Sequence, residues 1–239
     1  NPALNNMVVD RCRFTGQTSW AVSASKTNPT ILEMWTSGNF FLGQQISASE
    51  TIENITADYI SAYSVYVARD IYLINPALVN VNPLRVSFYA LGGGDHDVNY
   101  HTQFRLDLKV VDNNGNAISG AGVVIIDVDG TEIFSGATDA SGNIAQQVLT
   151  KQIDFFNDPN PATSITISTP TETYVKTPHT ITISATGYQT KTMVLTMDRR
   201  REEIVVLEQA VKFITAGGDP LLWNLKSTDS QNKHNWAKV

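Results

Sequence analysis

A single cysteine, Cys12, stands in this chain of 239 residues. One thiol excludes an intrachain disulfide, and it excludes a cysteine-based zinc site, which needs several thiolates at close spacing. Charge is also scarce. Charged residues make up 17% of the chain, against about 25% in an average soluble domain. The 17 basic and 23 acidic residues leave a net charge of −6. A mildly acidic chain lacks the clustered Lys and Arg on which non-specific nucleic-acid binding rests. No apolar run approaches the roughly 18 residues of a membrane-spanning helix, so membrane insertion is not expected. The chain opens at Asn1 with neither Met nor a signal-like segment, which reads as a fragment, a processed form or a chain not fully defined at its start.

Short polar side chains fill the gap: Thr (25), Asn (19) and Ser (17). That is the usual surface of extracellular or virion β-proteins. A hydrophobic content of 42% is enough to bury a core and argues against wholesale disorder. Length allows one or two domains.

The clearest pattern runs from Gln103 to Glu208. Phe104, Leu106, Leu108 and Val110 alternate with Arg105, Asp107 and Lys109, the period of a half-buried strand. Asp112 to Asn116 is a dense turn signal. Val123 to Val128 and Thr131 to Phe134 flank Asp129-Gly130, where glycine supplies the positive φ of a tight hairpin. A turn at Thr138 to Gly142 leads to a strand at Ile144 to Leu149. Phe155 to Pro161 holds two prolines and reads as a loop. Ser164 to Ser168, Thr180 to Ala185, Lys191 to Met197 and Ile204 to Leu207 complete the set. Short strands at this spacing predict a β-sandwich.

Val110-Val111-Asp112 to Gly115, Ala117 to Val123, Thr138-Asp139 to Gly142, and Pro178 to Ala185 with Gly187-Tyr188-Gln189-Thr190 resemble the carboxypeptidase regulatory-like (prealbumin-like, Ig-like) domain. The resemblance covers about 105 residues. It implies a non-catalytic spacer, docking or adhesion module. The stretch from Thr150 to Pro178 departs from the family pattern and reads as an inserted hairpin.

In the first hundred residues, Val8 to Gly16 resembles a rung of a right-handed parallel β-helix, and Ser37 to Gly43 echoes it about 26 residues on. Ile52 to Ile55 and Asp70 to Asn75 offer further rungs, each stacking an apolar face on the next. A second reading stands beside it. Ile52, Ile55, Tyr59, Ile60 and Tyr63 also fit one face of an α-helix, with Ser47 and Glu50 as a capping box. Pro83 to Ala90 reads as a strand. Gly92-Gly93-Gly94 marks the expected domain boundary.

Candidate chemistry is sparse. Asp95, His96, Asp97 and His101 hold the carboxylate and imidazole groups of a divalent-metal site, but spacing alone does not make them converge, and a solvated interdomain loop is the preferred reading. Asp112, Asp127 and Asp129 flank turns without EF-hand spacing, which is ordinary turn chemistry. There is no Gly-x-Ser-x-Gly, and Cys12 has no neighbouring His. The glycine run lacks the Lys-Ser/Thr of a phosphate loop. Arg199-Arg200-Arg201 is answered by Glu202-Glu203 and reads as a charged hairpin tip. Asn54-Ile55-Thr56 fits a glycosylation sequon. Trp20, Trp35, Tyr59, Tyr63, Tyr66 and Tyr72 gather in the first third. Such rings stack on sugars and anchor interfaces, or simply fill the space between rungs.

The residues therefore predict an all-β protein. A β-helix-like or irregular β region over 1–97 precedes an Ig-like or prealbumin-like β-sandwich over 98–209. A tail over 210–239 docks through Trp223 and Trp236. The expected function is non-enzymatic, without cofactor or metal: a structural or attachment component of a phage-like virion (tail fibre, appendage or capsid decoration), located in the virion or on an extracellular surface. Its expected partners are further copies of itself or lattice neighbours, and a glycan is the small ligand that the aromatics suggest. Two alternatives remain open, a secreted adhesin or S-layer-like module and a polysaccharide-processing β-helix enzyme, the latter requiring two carboxylates in a groove.

Overall fold

The computed structural model describes residues 8–10, 13–14, 19–22, 30–32, 35–36, 39–42, 49–65, 69–88, 97–160 and 162–210, with the backbone alone described up to residue 50 and over 63–65. The protein is all-β. Its first four coils each contribute three short strands: β1 (Val8–Asp10), β2 (Arg13–Phe14) and β3 (Ser19–Val22); β4 (Thr30–Leu32), β5 (Trp35–Thr36) and β6 (Asn39–Leu42); β7 (Ser49–Glu53), β8 (Thr56–Ala57) and β9 (Tyr59–Val65); β10 (Arg69–Ile74), β11 (Ala77–Leu78) and β12 (Leu84–Phe88). Strands in the same place on successive coils pair in parallel, giving the orders β1-β4-β7-β10, β2-β5-β8-β11 and β3-β6-β9-β12. This is a parallel β-helix. On the β1-β4-β7-β10 face the coils repeat every 21 or 22 residues, as Val8↔Thr30, Thr30↔Thr51 and Thr51↔Tyr72 show, while on the β3-β6-β9-β12 face the offset runs from 20, as in Ser19↔Asn39, to 24, as in Ile60↔Leu84.

Period-two burial explains why these residues coil. Along β10 and β12 every second side chain is buried, and Ile52, Ile55, Ile60, Ile71, Leu73, Val86 and Phe88 form one core. No single coil closes such a core, so each is stabilised by its neighbours. The corners are asparagines. Asn54 and Asn75 adopt positive φ (54° and 50°), a conformation that Asn tolerates better than most residues. Asn75 Nδ2 donates to Asn54 Oδ1 at 3.1 Å, and Asn75 Oδ1 accepts the Arg105 N–H at 2.9 Å. The corner amides thus continue the ladder between coils.

The helical reading of Ile52 to Tyr63 is not adopted, because strands β7, β8 and β9 occupy that stretch. The β-helix register also differs from the 26-residue echo. Asn39–Leu42 stacks on Ser19–Val22, not on Val8 to Gly16. Similar apolar-plus-glycine patterns recur on different faces of the coil, and backbone pairing fixes which one stacks on which.

The chain then enters β13 (Val98–Val111), a 14-residue strand. Its first part pairs with β10, from Arg69↔Val98 to Ile74↔Gln103, and so closes the stack. Its second part is a strand of a sandwich. The facing sheet contains β14 (Gly122–Ile126), β15 (Glu132–Ala137), β19 (His179–Ser184) and β20 (Lys191–Leu195), while β16 (Gln147–Phe156) and β21 (Arg201–Val206) flank β13, with β18 (Glu172–Val175) beyond β16. Leu106, Leu108 and Val110 pack with Val123, Ile125, Ile181 and Ile183 in a second core. β17 (Ile165–Ile167), between β16 and β18, was expected among the sandwich strands. It pairs antiparallel with β12 instead, Val86↔Ile167. The insertion over 150–178 therefore returns to the β-helix and covers the edge of its last described coil. The glycine run 92–94 lies outside the described residues, as does the tail beyond residue 210.

Candidate binding surface and junction cavity

The β-helix and sandwich cores share one sheet, and a polar band separates them. The buried column of β13 reads Val98, Tyr100, Thr102, Phe104, Leu106. Val98 and Tyr100 belong to the β-helix core, and Phe104 onward to the sandwich core. Thr102 sits between them, 9% exposed. On β16 the pattern repeats: Phe156 belongs to the first core, Leu149 to the second, and Gln152 and Asp154 lie between. A β-bulge falls in this band. Thr102 pairs with Gln152 and Gln103 with Thr150, leaving Lys151 unopposed. A bulge re-aims the extra side chain, and such irregularities are over-represented beside functional sites.

Asp154 is 5% exposed. Its Oδ1 accepts from Thr173 Oγ1 at 2.7 Å and its Oδ2 from Gln152 Nε2 at 2.8 Å. No cation pairs with it among the described residues. A cavity of about 430 Å³ opens over this band. Its polar lining is Asn80, Asn82, Thr102, Lys151, Gln152 and Asp154, together with Ser168 and Asp198. Asn80 comes from the turn after β11 and donates from Nδ2 to the Asp58 carbonyl. Asn82 and Lys151 make no side-chain hydrogen bond among the described residues. Sequence reading passed over this site. Its available signal is Thr102 interrupting the apolar column and the polar pair Gln152 and Asp154 replacing one after Leu149.

The expected site residues are dispersed. Tyr72 and His101 lie side by side on the outer face of β10 and β13, rings stacked at 4.5 Å between centroids. His101 Nε2 is 3.1 Å from Asp70 Oδ1, which also accepts from Asn99 Nδ2 at 3.1 Å. Burial, with the Asp70 carboxylate nearby, raises the Tyr72 hydroxyl above its usual pKa. Tyr59 is on a different sheet, with the Arg85 guanidinium 3.7 Å above its ring. Trp20 and Tyr63 lie in the β3-β6-β9 sheet, Trp35 in the β2-β5-β8 sheet. Tyr66, Trp223 and Trp236 lie outside the described residues. Tyr72 and Tyr59 thus stand on different sheets of the coil, while Trp20, Tyr59 and Tyr63 share one.

Of the metal candidates, Asp95 and His96 lie outside the described residues. Asp97 Oδ1 accepts from Asn157 Nδ2 at 2.7 Å, and His101 faces Asp70. Among the described residues no three His, Cys, Asp or Glu side chains come together as a metal site.

No family model matches the sequence, and no curated protein matches it. Among solved structures, the chain is similar to the Bacillus anthracis TIE protein, with 18% identity over 47% of this chain and 18% of that one and a TM-score of 0.29. It is similar to 3-chlorocatechol 1,2-dioxygenase from Rhodococcus opacus 1CP, with 10% identity over 46% and 62% and a TM-score of 0.31. It is similar to wild-type catechol 1,2-dioxygenase from Acinetobacter radioresistens, with 13% identity over 47% and 53% and a TM-score of 0.32. The match spans less than two thirds of each of those chains. Likeness at this level transfers neither fold nor chemistry.

Proposed function

We propose that this chain is a non-enzymatic structural or attachment protein, a component of a phage-like virion such as a tail fibre, appendage or capsid decoration. The observation that supports it best is β13. One strand is both the closing strand of the β-helix and a strand of the sandwich. A hinge between two modules would suit a catalytic cleft that opens and closes. An unbroken strand suits a stiff spacer that holds a sandwich at a fixed angle to a stack of coils. The Thr-, Asn- and Ser-rich composition and the spacer-like sandwich motifs point the same way. Such a component works as one of several copies or against lattice neighbours.

Light scattering of the full chain at several concentrations tests this. A fixed trimer or larger ring is expected, with its copies visible side by side in negative-stain images. A monomer at every concentration would count against the virion reading and favour a surface-adhesion module.

A further inference from the structure

We infer that the cavity at the junction of the β-helix and the sandwich is a saccharide-binding site, taking a terminal sugar unit of a surface glycan. The inference rests on the attachment reading above and gives it a ligand class. Five observations carry it. The cavity's volume of about 430 Å³ falls within the roughly 300–1,000 Å³ usual for small-ligand sites. It lies between two separately packed cores, where such sites are found preferentially.

Its polar lining is mixed in the way a polyol requires. Asp154 uses one bond on each oxygen, and an ionised carboxylate has about four acceptor positions, so about two remain. Asn82 offers an uncommitted amide, Lys151 an uncommitted ammonium, and Gln152 an acceptor oxygen beside its committed Nε2. A sugar hydroxyl both donates and accepts, so it can answer every one of these groups. Lys151 stands with two lining carboxylates, Asp154 and Asp198, the latter already paired with Arg201 at 3.0 Å, so the lining carries both signs of charge and does not suit an anion alone.

Leu78, Pro83, Leu84 and Phe104 add apolar lining among these polar groups, a surface suited to the C–H face of a pyranose. The bulge supplies the last element. Without the extra residue Lys151, the alternation of β16 would put apolar and polar side chains on the wrong faces on one side of the junction. The sheet thus accommodates a charged residue where a continuous core would have excluded it.

The test uses the full chain and saturation-transfer NMR with methyl glycosides of glucose, galactose, mannose, N-acetylglucosamine and rhamnose as probes. At least one is expected to receive saturation, with a dissociation constant near the millimolar range. Asn82→Trp, an exposed substitution that fills the cavity, should weaken that binding at least tenfold while leaving the circular dichroism and melting temperature unchanged. Lys151→Ala should weaken it as well and serves as the second variant if Asn82→Trp fails to fold. Absence of binding to every probe, or binding that both folded variants retain, overturns the inference. The assembly measurement above is independent. Binding sensitive to Asn82→Trp in a chain that stays monomeric would uphold the site and overturn the virion reading. A trimer without such binding would do the reverse.

Discussion

Arg105 in β13 grips Glu53 in β7 with two parallel bonds, Nε to Oε1 at 2.7 Å and Nη2 to Oε2 at 2.8 Å. The pair skips β10 and ties the third coil directly to the strand that enters the sandwich. The hydrogen bond to Glu53 raises the Arg105 pKa further, although burial opposes it. The side chains are 26% and 17% exposed. A double-mutant cycle with Arg105→Ala and Glu53→Ala, read by urea denaturation, should give a coupling of about 1 kcal/mol. It should survive added salt better than the coupling of Arg200 with Asp107, whose side chains are 52% and 35% exposed.

Tyr100 spans the interior of the β-helix. Its hydroxyl accepts the Ala62 N–H at 2.9 Å and donates to the Arg85 carbonyl at 2.8 Å, and its ring meets Phe156 edge-on at 5.7 Å. Tyr100→Phe keeps the ring and leaves the Ala62 N–H without that acceptor. The expected cost is about 1–3 kcal/mol, with faster amide exchange at Ala62 as the local readout.

Two turn glycines should differ in how they tolerate alanine. Gly130 and Gly142 both have positive φ, 83° and 80°. A Cβ at Gly130 meets nothing within 4 Å, whereas at Gly142 it would lie 2.5 Å from the Val110 carbonyl oxygen. Gly130→Ala should cost about 1 kcal/mol from conformation alone. Gly142→Ala adds a backbone clash and should cost about 3 kcal/mol. Thermal melts of the two variants side by side check the order.

His179 should make stability depend on pH. It is 1% exposed, and its Nδ1 has no hydrogen-bond partner. Burial lowers its pKa below the ordinary 6.5, against the pull of the Asp127 carboxylate. The unfolded chain therefore takes up this proton at a higher pH than the folded one. The contribution is complete above about pH 6.5 and is lost as pH falls from there toward the folded value. Urea denaturation between pH 7.5 and 5 should show a slope that His179→Gln flattens. An unchanged slope in the variant would remove His179 from the account.

Much of this architecture could be read in the sequence. The alternation from Phe104 to Val110 locates half of β13, and Asp129-Gly130 and Thr138 to Gly142 locate turns, because these signals are local. The register of the coils was not legible. Pairing Val8 with Thr30 depends on where the chain turns between strands, and the corner residues Asn54 and Asn75 look like ordinary loop residues until their positive φ is seen. β17 was legible as a strand over Ser164 to Ser168, but its pairing with β12 was not, since a three-residue strand takes whichever edge is open to it. The junction cavity draws its walls from the turn after β11, from β13 and from the insertion, so no contiguous motif encodes it.

The coil repeat of 21 residues from Thr51 to Tyr72 makes the protein extendable. The last described strand, β12, is committed downstream, to β13 through the chain at one end and to β17 by pairing along its edge. A duplicated coil inserted between the second and third would touch neither. It would lengthen the stack by one strand spacing, about 4.8 Å, and leave the sandwich and the cavity unchanged. The β-helix can therefore act as a ruler, set in steps of one coil, for how far the sandwich stands from whatever holds the other end.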